Sequence, residues 1–262
     1  MTAPVPPDPW SRLAALTPAR IALGRTGASL PTREVLAFSL AHARARDAVH
    51  AAFDDMALGQ AIEAVGFQTV GVESAAPDRA TYLRRPDLGR RLSDESRRRF
   101  AGRGPYDLAV VVADGLSSPA VHAHAAPMLA ALKPLIAVHG WGLAPIMIAR
   151  QVRVALGDEI GDMLGARMLV MLIGERPGLS SPDSLGAYLT FGPRVGRSDA
   201  ERNCVSNIRA EGLSYAVAAA RIAWLAREGL RLGLTGVALK DESELDALAP
   251  HASNLALGPD GC

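Results

Sequence analysis

Two apolar runs constrain this chain most: residues 107–113 (DLAVVVA), uncharged beyond its leading Asp107, and residues 168–173 (MLVMLI). Each has the length and the continuous apolar character of a strand buried on both faces, and the first is rich in β-branched valine. Each also stops abruptly. The first ends at Asp114-Gly115-Leu116-Ser117-Ser118, the second at Gly174-Glu175-Arg176-Pro177-Gly178. A strand that runs into a polar Gly/Pro loop is the arrangement that places ligands at the C-terminal edge of open α/β sheets. The second loop sets one carboxylate and one guanidinium between two glycines and a proline. Such a loop is stiff, approachable and charged, and suits a polar ligand.

The neighbouring segments extend this pattern. Residues 120–131 read as a helix capped by Ser117 or Ser118, residues 144–149 as the next strand, and residues 157–164 as a helix leading into the run at 168–173. Strand, loop, helix and strand at this spacing predict a parallel sheet with right-handed crossover helices. Residues 68–73 alternate weakly and read as a further strand. Upstream, the four prolines in residues 1–9 predict an extended arm. Residues 19–23 read as a short strand, and residues 32–53 as a helix with Pro31 just ahead of it. A short helix is expected at 94–100. Residues 211–232 form an Ala-rich helix stopped by Gly233, and 234–262 a loosely held tail. The predicted fold is α/β: an N-terminal arm and smaller helical region (1–100), a Rossmann-like parallel-sheet domain (101–233) and the tail.

Composition removes several function classes. The 262 residues carry a net charge of +1, with 49% hydrophobic and 21% charged residues. No global field is expected to attract nucleic acid or an anionic membrane. Residues 83–103 hold eight arginines against Asp87, Asp94 and Glu95. That stretch reads as a solvated face or a subunit interface; nucleic acid would call for more aromatic interleaving. Cys204 and Cys262 form neither a CxxC nor a zinc pattern, which fits a reducing cytoplasm. MTAPVPPDPWSRL is not a secretory leader, and no apolar run approaches the ~18–20 residues of a membrane span. No G-x-G-x-x-G, P-loop, G-x-S-x-G or zinc pattern occurs, and His122 and His124 would splay to different faces of a helix. A sheet domain stripped of the usual motifs suggests binding.

Three residues have both a plain and a functional reading. Glu175 either caps a turn or accepts hydrogen bonds from a ligand that the glycines let approach. Cys204 is either a small buried hydrophobe or a ligand-lining residue on a loop; as a nucleophile it would need a base, and no His lies close in sequence. Val154 either packs or lies against the apolar face of a large flat cofactor.

Five segments carry a resemblance: TPARIALGRTGASLPTRE (17–34), YLRRPDLGRRL (82–92), VADGLS (112–117), GERPGLSSPDSLGAYLTF (174–191) and AERNCVSNIR (200–209). Together they resemble the small subunit of ethanolamine ammonia-lyase, over about residues 17–230. The resemblance implies a lyase that splits ethanolamine into acetaldehyde and ammonia by a radical mechanism using adenosylcobalamin. It implies that a large TIM-barrel subunit supplies the catalytic residues. The small, Rossmann-like subunit would cap the cofactor at the interface, in a hetero-oligomer of several heterodimers. The cofactor would be bound base-on, so this chain would offer no metal ligand and no catalytic side chain. The positions implied to touch cobalamin are Val154 (the family valine after Gly-Arg), Glu175 (of G-E-R-P-G) and Cys204 (of C-[IV]-S-N-I). The family glycine before Arg153 is Val152 here. The family's longer N-terminal extension, associated with packaging into a bacterial microcompartment, is expected to be absent or very short here, which leaves packaging an open expectation beside a cytoplasmic location. The alternative is a standalone Rossmann-like interaction module without cobalamin.

Overall fold

The two apolar runs lie side by side at the centre of one sheet, paired in parallel from Leu108↔Met168 to Ala113↔Ile173, and every residue of both strands is buried. The structure, a computed structural model, describes residues 10–17, 19–100 and 104–244. Among the described residues the chain forms α1 (Ser11–Ala14), α2 (Thr32–His50), α3 (Asp55–Ala64), β1 (Thr69–Glu73), α4 (Arg79–Arg84), α5 (Asp94–Arg98), β2 (Leu108–Ala113), α6 (Ser118–His139), β3 (Ile146–Arg150), α7 (Leu156–Leu164), β4 (Met168–Gly174), β5 (Leu185–Phe191), β6 (Asn203–Ile208) and α8 (Tyr215–Leu232). The proline-rich arm at 1–9, most of the tail and Cys262 lie outside the described residues.

The sheet order is β1-β3-β2-β4-β5-β6. The first four strands are parallel to one another, and β5 and β6 are antiparallel to their neighbours. The α/β class expected from the sequence is therefore observed, but the sheet is mixed. It also recruits β1 from the stretch before residue 100. Alternation along β2 sends Val110 and Val112 to a core shared with α3, α6 and α8, and Ala109, Val111 and Ala113 to one shared with α7. The chain thus leaves β2 through α6 on one face and leaves β3 through α7 on the other. The C-terminal ends of β2 and β3 consequently flank a point where the connections diverge, the crevice in which α/β sheets bind ligands.

Several elements differ from expectation. Residues 19–23 form no strand. Backbone bonding nearby closes locally, Thr26 with Ser29, and no sheet edge is offered to them. α2 stops at His50, where Ala51 is extended; Asp54 then starts α3 by accepting from the Ala57 N–H at 2.9 Å. α6 begins under Ser117, whose Oγ accepts from the Ala120 N–H, and runs on to His139 through Pro127 and Pro134. Each proline deletes a helical hydrogen bond, yet Leu132 after the first and Ile136 after the second are buried in the core and hold the helix to the sheet. At 22 residues and mean hydropathy 1.3, α6 also meets the length and apolarity of a membrane span, against the expectation that no run would. Val121, Ala125, Met128, Leu129, Leu132 and Ile136 of this helix are buried in the core. α8 starts at Tyr215 under a Ser214 cap. The first residues after α8 are held firmly: Thr235 donates to the Glu201 carbonyl at 2.6 Å, and Asn203 bonds both Gly236 and Leu239.

Candidate functional site

Three loops meet at the C-terminal edge of the parallel strands: Asp114–Ser117 after β2, Gln151–Ala155 after β3, and the one opening with Glu175 after β4. Their backbones touch. Gly115 has φ +55°, and a Cβ on it would lie 2.2 Å from the Gly174 carbonyl; a Cβ on Gly174 would lie 2.2 Å from the Ser117 carbonyl. Only glycine fits at either position. The Leu116 N–H donates to the Gly174 carbonyl at 3.0 Å, and the Ser117 hydroxyl to the Pro182 carbonyl at 2.9 Å. These contacts fix the first loop to the third.

The second loop is fixed to the first by Asp114, which is 2% exposed. Its Oδ1 accepts from the Val152 N–H at 3.1 Å and its Oδ2 from Arg79 Nη1 at 3.0 Å. Burial raises the Asp114 carboxyl, and the Arg79 guanidinium and the Val152, Gln151 and Gly115 N–H groups work against that rise. Tyr82, fully buried, points its hydroxyl at the Gly115 and Val152 carbonyls (3.0 and 2.9 Å). Burial, with the Asp114 charge next in size, pushes the phenol well above its ordinary range, so it stays a neutral donor. The Arg79 and Arg153 guanidinium groups both lie against its ring, at 4.9 and 4.4 Å from the centroid. Val152, where the resemblance implies a glycine, is fully buried in the α7-side core.

Two adjoining cavities open above this framework. One, of about 410 Å³, is rimmed by Arg90, Arg153, Arg197 and Ser198; the other, of about 190 Å³, by Tyr82, Gly115, Gly174 and Glu175. Arg153, Val154 and Tyr188 belong to both and make them one basin. The Glu175 carboxylate lies over Gly186, where a Cβ would sit 2.9 Å from Oε1, and its Oε2 accepts from the Asn207 N–H at 3.2 Å. The β5–β6 register slips beside Gly186, between Leu185 and Ala187. Cys204 is exposed and stands on β6, not on a loop as the sequence suggested. It is the register partner of Tyr188, and its sulfur lies 3.1 Å from the Ser206 hydroxyl. Desolvation raises the Cys204 thiol, and the Glu175 carboxylate adds to the effect. At neutral pH the sulfur is therefore a thiol that lines a surface, not a thiolate nucleophile.

Val154, Glu175 and Cys204 are thus gathered around Tyr188, two as rim residues of one cavity and the third across the β5–β6 pair. Sequence reasoning missed Tyr188, Tyr82 and Arg153. Three arginines of the arginine-rich stretch are ion-paired: Arg97 with Asp94 and with Glu159 of α7, Arg99 with Glu95, and Arg85 with Asp87. His122 accepts from the Asp54 N–H and His124 pairs with the Tyr215 hydroxyl, so the two rings serve different helices. Among the described residues no group of three His, Cys, Asp or Glu side chains could hold a metal ion.

Outside the basin, Arg202 and Asp158, 2% and 1% exposed as side chains, form a bidentate pair at 2.7 Å that ties α7 to the segment before β6. Arg197, at the rim, pairs with Glu201.

Comparison with known proteins places this geometry in a family. The chain is 57% identical over 256 residues to the ethanolamine ammonia-lyase small subunit of Xanthomonas campestris pv. campestris, covering 96% of this chain and 94% of that protein. It is 56% identical over 263 residues to the small subunit of Azotobacter vinelandii, covering 97% of each. With the small subunit of Pseudomonas syringae pv. tomato it shares 57% over 248 residues, 93% of this chain and 86% of the relative. The model of the ethanolamine ammonia-lyase light chain matches residues 7–240, a span that includes every loop of the basin, and the chain belongs to that family of lyase subunits.

Proposed function

We propose that this chain caps adenosylcobalamin where the small subunit meets a large catalytic TIM-barrel subunit, in an assembly of several such heterodimers. The observation that carries the reading is the meeting of Val154 and Glu175, distant in sequence, at one basin on the C-terminal edge of the sheet, with Cys204 beside it as the register partner of the basin residue Tyr188. The basin fits part of such a cofactor. Its two cavities are much smaller than a corrinoid with its nucleotide tail, so this chain would cover one side and leave the other to a partner.

Each side chain has a defined task in this reading. Glu175 is held over Gly186 by the Asn207 N–H, which leaves carboxylate lone pairs for amide or hydroxyl donors on the ligand. Val154 supplies an apolar wall, and the neutral Cys204 thiol and Tyr188 ring extend it. The base-on form asks of this chain a pocket and hydrogen bonds, not a cobalt ligand. When bound, the cofactor supplies the radical chemistry that splits ethanolamine into acetaldehyde and ammonia. The role of this chain is to orient the group and keep water away from it.

The test is cobalamin retention through gel filtration, followed by visible absorbance, for this chain alone and with its large subunit. Retention and ethanolamine-dependent acetaldehyde release only with both chains is the expected result. Two folded proteins that form a complex yet retain no cobalamin would leave an interaction module as the better account.

A further inference from the structure

Across the edge of the sheet from the basin lies a second cavity, of about 350 Å³, the size of a small-molecule site. It shares no lining residue with the basin. Its walls include Phe53 just ahead of α3, Arg79 at the start of α4, Asp114 and Ser118 after β2, and Arg150 and Gln151 at the end of β3. Phe53 packs against the core shared with α6, whereas Val154 and Tyr188 of the basin pack against the core on the α7 side. The cavity therefore occupies the other side of the point where the connections from β2 and β3 diverge.

Three of these residues each carry a buried polar atom with no partner in the chain: Arg79 Nη2, Ser118 Oγ and Gln151 Oε1. They are half of the six such side-chain atoms among the described residues, and a buried polar group left unpaired is costly. Ser118 is 1% exposed. Arg79 has committed its other nitrogens to the Val49 and Gly115 carbonyls and to Asp114. Gln151 holds φ +59°, a left-handed conformation that residues with a Cβ rarely adopt and that gathers at ligand sites. Beside the His50 imidazole, the charges of the lining balance, Arg79 and Arg150 against Asp78 and Asp114. Charge therefore selects neither an anion nor a cation, and the unpaired atoms select by hydrogen bonding. We infer that this cavity binds a carboxamide, whose carbonyl oxygen accepts from Arg79 Nη2 and the Ser118 hydroxyl and whose N–H donates to Gln151 Oε1. A carboxylate would set a second acceptor against Gln151 Oε1, and an ammonium would leave Arg79 Nη2 unpaired. The inference does not depend on the proposed function. The amide belongs either to a free small molecule or to a side arm of a larger ligand.

The test titrates the isotope-labelled full chain with propionamide, propionate and propanol, and follows the Ser118 and Gln151 amide signals by NMR. Propionamide should give saturable shifts at both positions, with propionate and propanol binding about tenfold more weakly or not at all. Ser118→Ala deletes a hydroxyl that has no partner in the chain, so its thermal unfolding should match or exceed wild type while propionamide binding weakens about tenfold. Gln151→Gly suits the local backbone and should weaken binding similarly. No saturable shift with propionamide, equal binding of propionate or propanol, or binding unchanged by both substitutions would overturn the inference. Cobalamin retention by the Ser118→Ala chain assembled with the large subunit separates the two sources. Weakened retention would support the carboxamide site and make its occupant an arm of the cofactor; unchanged retention beside weakened propionamide binding would support it with a free molecule as occupant. A wild-type complex that retains no cobalamin would remove the proposed function and leave propionamide binding to this chain standing.

Discussion

Asp114→Ala is the sharpest probe of how the basin is held. The carboxylate is nearly inaccessible and receives two hydrogen bonds, from Arg79 Nη1 and the Val152 N–H. Removing one member of a buried ion pair costs about 3–5 kcal/mol, chiefly because the other charge is left behind. Arg79 here keeps its bonds to the Val49 and Gly115 carbonyls, at 2.8 and 2.9 Å, and its side chain is 20% exposed. The ion-pair loss therefore falls near the lower end, about 3 kcal/mol. Orphaning the buried Val152 N–H adds about 1 kcal/mol. The expected total is about 4 kcal/mol, or roughly 8–16 °C in Tm for a chain of this size. Asp114→Asn keeps an acceptor for Val152 and should lose only about half as much. Denaturant unfolding of the full chain, followed by circular dichroism with the slope held equal, measures both. If Asp114→Ala fell within about 1 kcal/mol of wild type, or if Asn cost as much as Ala, the account of this pair would be wrong.

Other substitutions test neighbouring parts. Glu175→Ala removes an acceptor worth about 1.5–3 kcal/mol toward a ligand donor; cobalamin affinity in the assembled enzyme should drop about 10- to 100-fold while turnover at saturating cofactor changes little, and the reverse pattern would refute the assignment. Gly174→Ala forces a Cβ against the Ser117 and Asp114 carbonyls; it should cost about 3 kcal/mol, measured by the same unfolding assay, and a neutral effect would mean that the loops yield. Glu201 is held down to about 2 by the Ser198 N–H first and Arg197 second. Its folded value lies below the ordinary 4.5, so its contribution is complete above about 4.5 and is lost as pH falls through about 2. Amide exchange at Ser198 should accelerate over that window, and a rate following only the intrinsic pH dependence would contradict it.

The parts of the fold that could be read from sequence were those whose local residues decide the outcome. β2 and β4 are buried on both faces, and such strands appear as unbroken apolar runs. β6 escaped notice because only Val205 and Ile208 are buried; Cys204, Ser206 and Asn207 are exposed, so the segment resembles a polar loop. Nothing local in β5 encodes that it turns back antiparallel to β4. The continuation of α6 through Pro134 depends on where Leu132 and Ile136 pack, a tertiary effect that overrides propensity. α3 carried a usable signal in Asp54, an N-cap just after the expected helix end. At the site, Val154, Glu175 and Cys204 came from family resemblance. Their companions Tyr82 and Arg153 were invisible to local reasoning because their neighbours are brought in from other loops.

The backbone contact between Gly115 and Gly174 has a mechanical consequence. With Leu116 bonded to Gly174 and Ser117 to Pro182, the turns after β2 and β4 cannot move independently; they form one rigid plate. A molecule landing on that plate finds its bed already shaped, and forfeits little ordering entropy there. Any adjustment on contact is left to exposed side chains above it such as Arg176, while the ground beneath stays still.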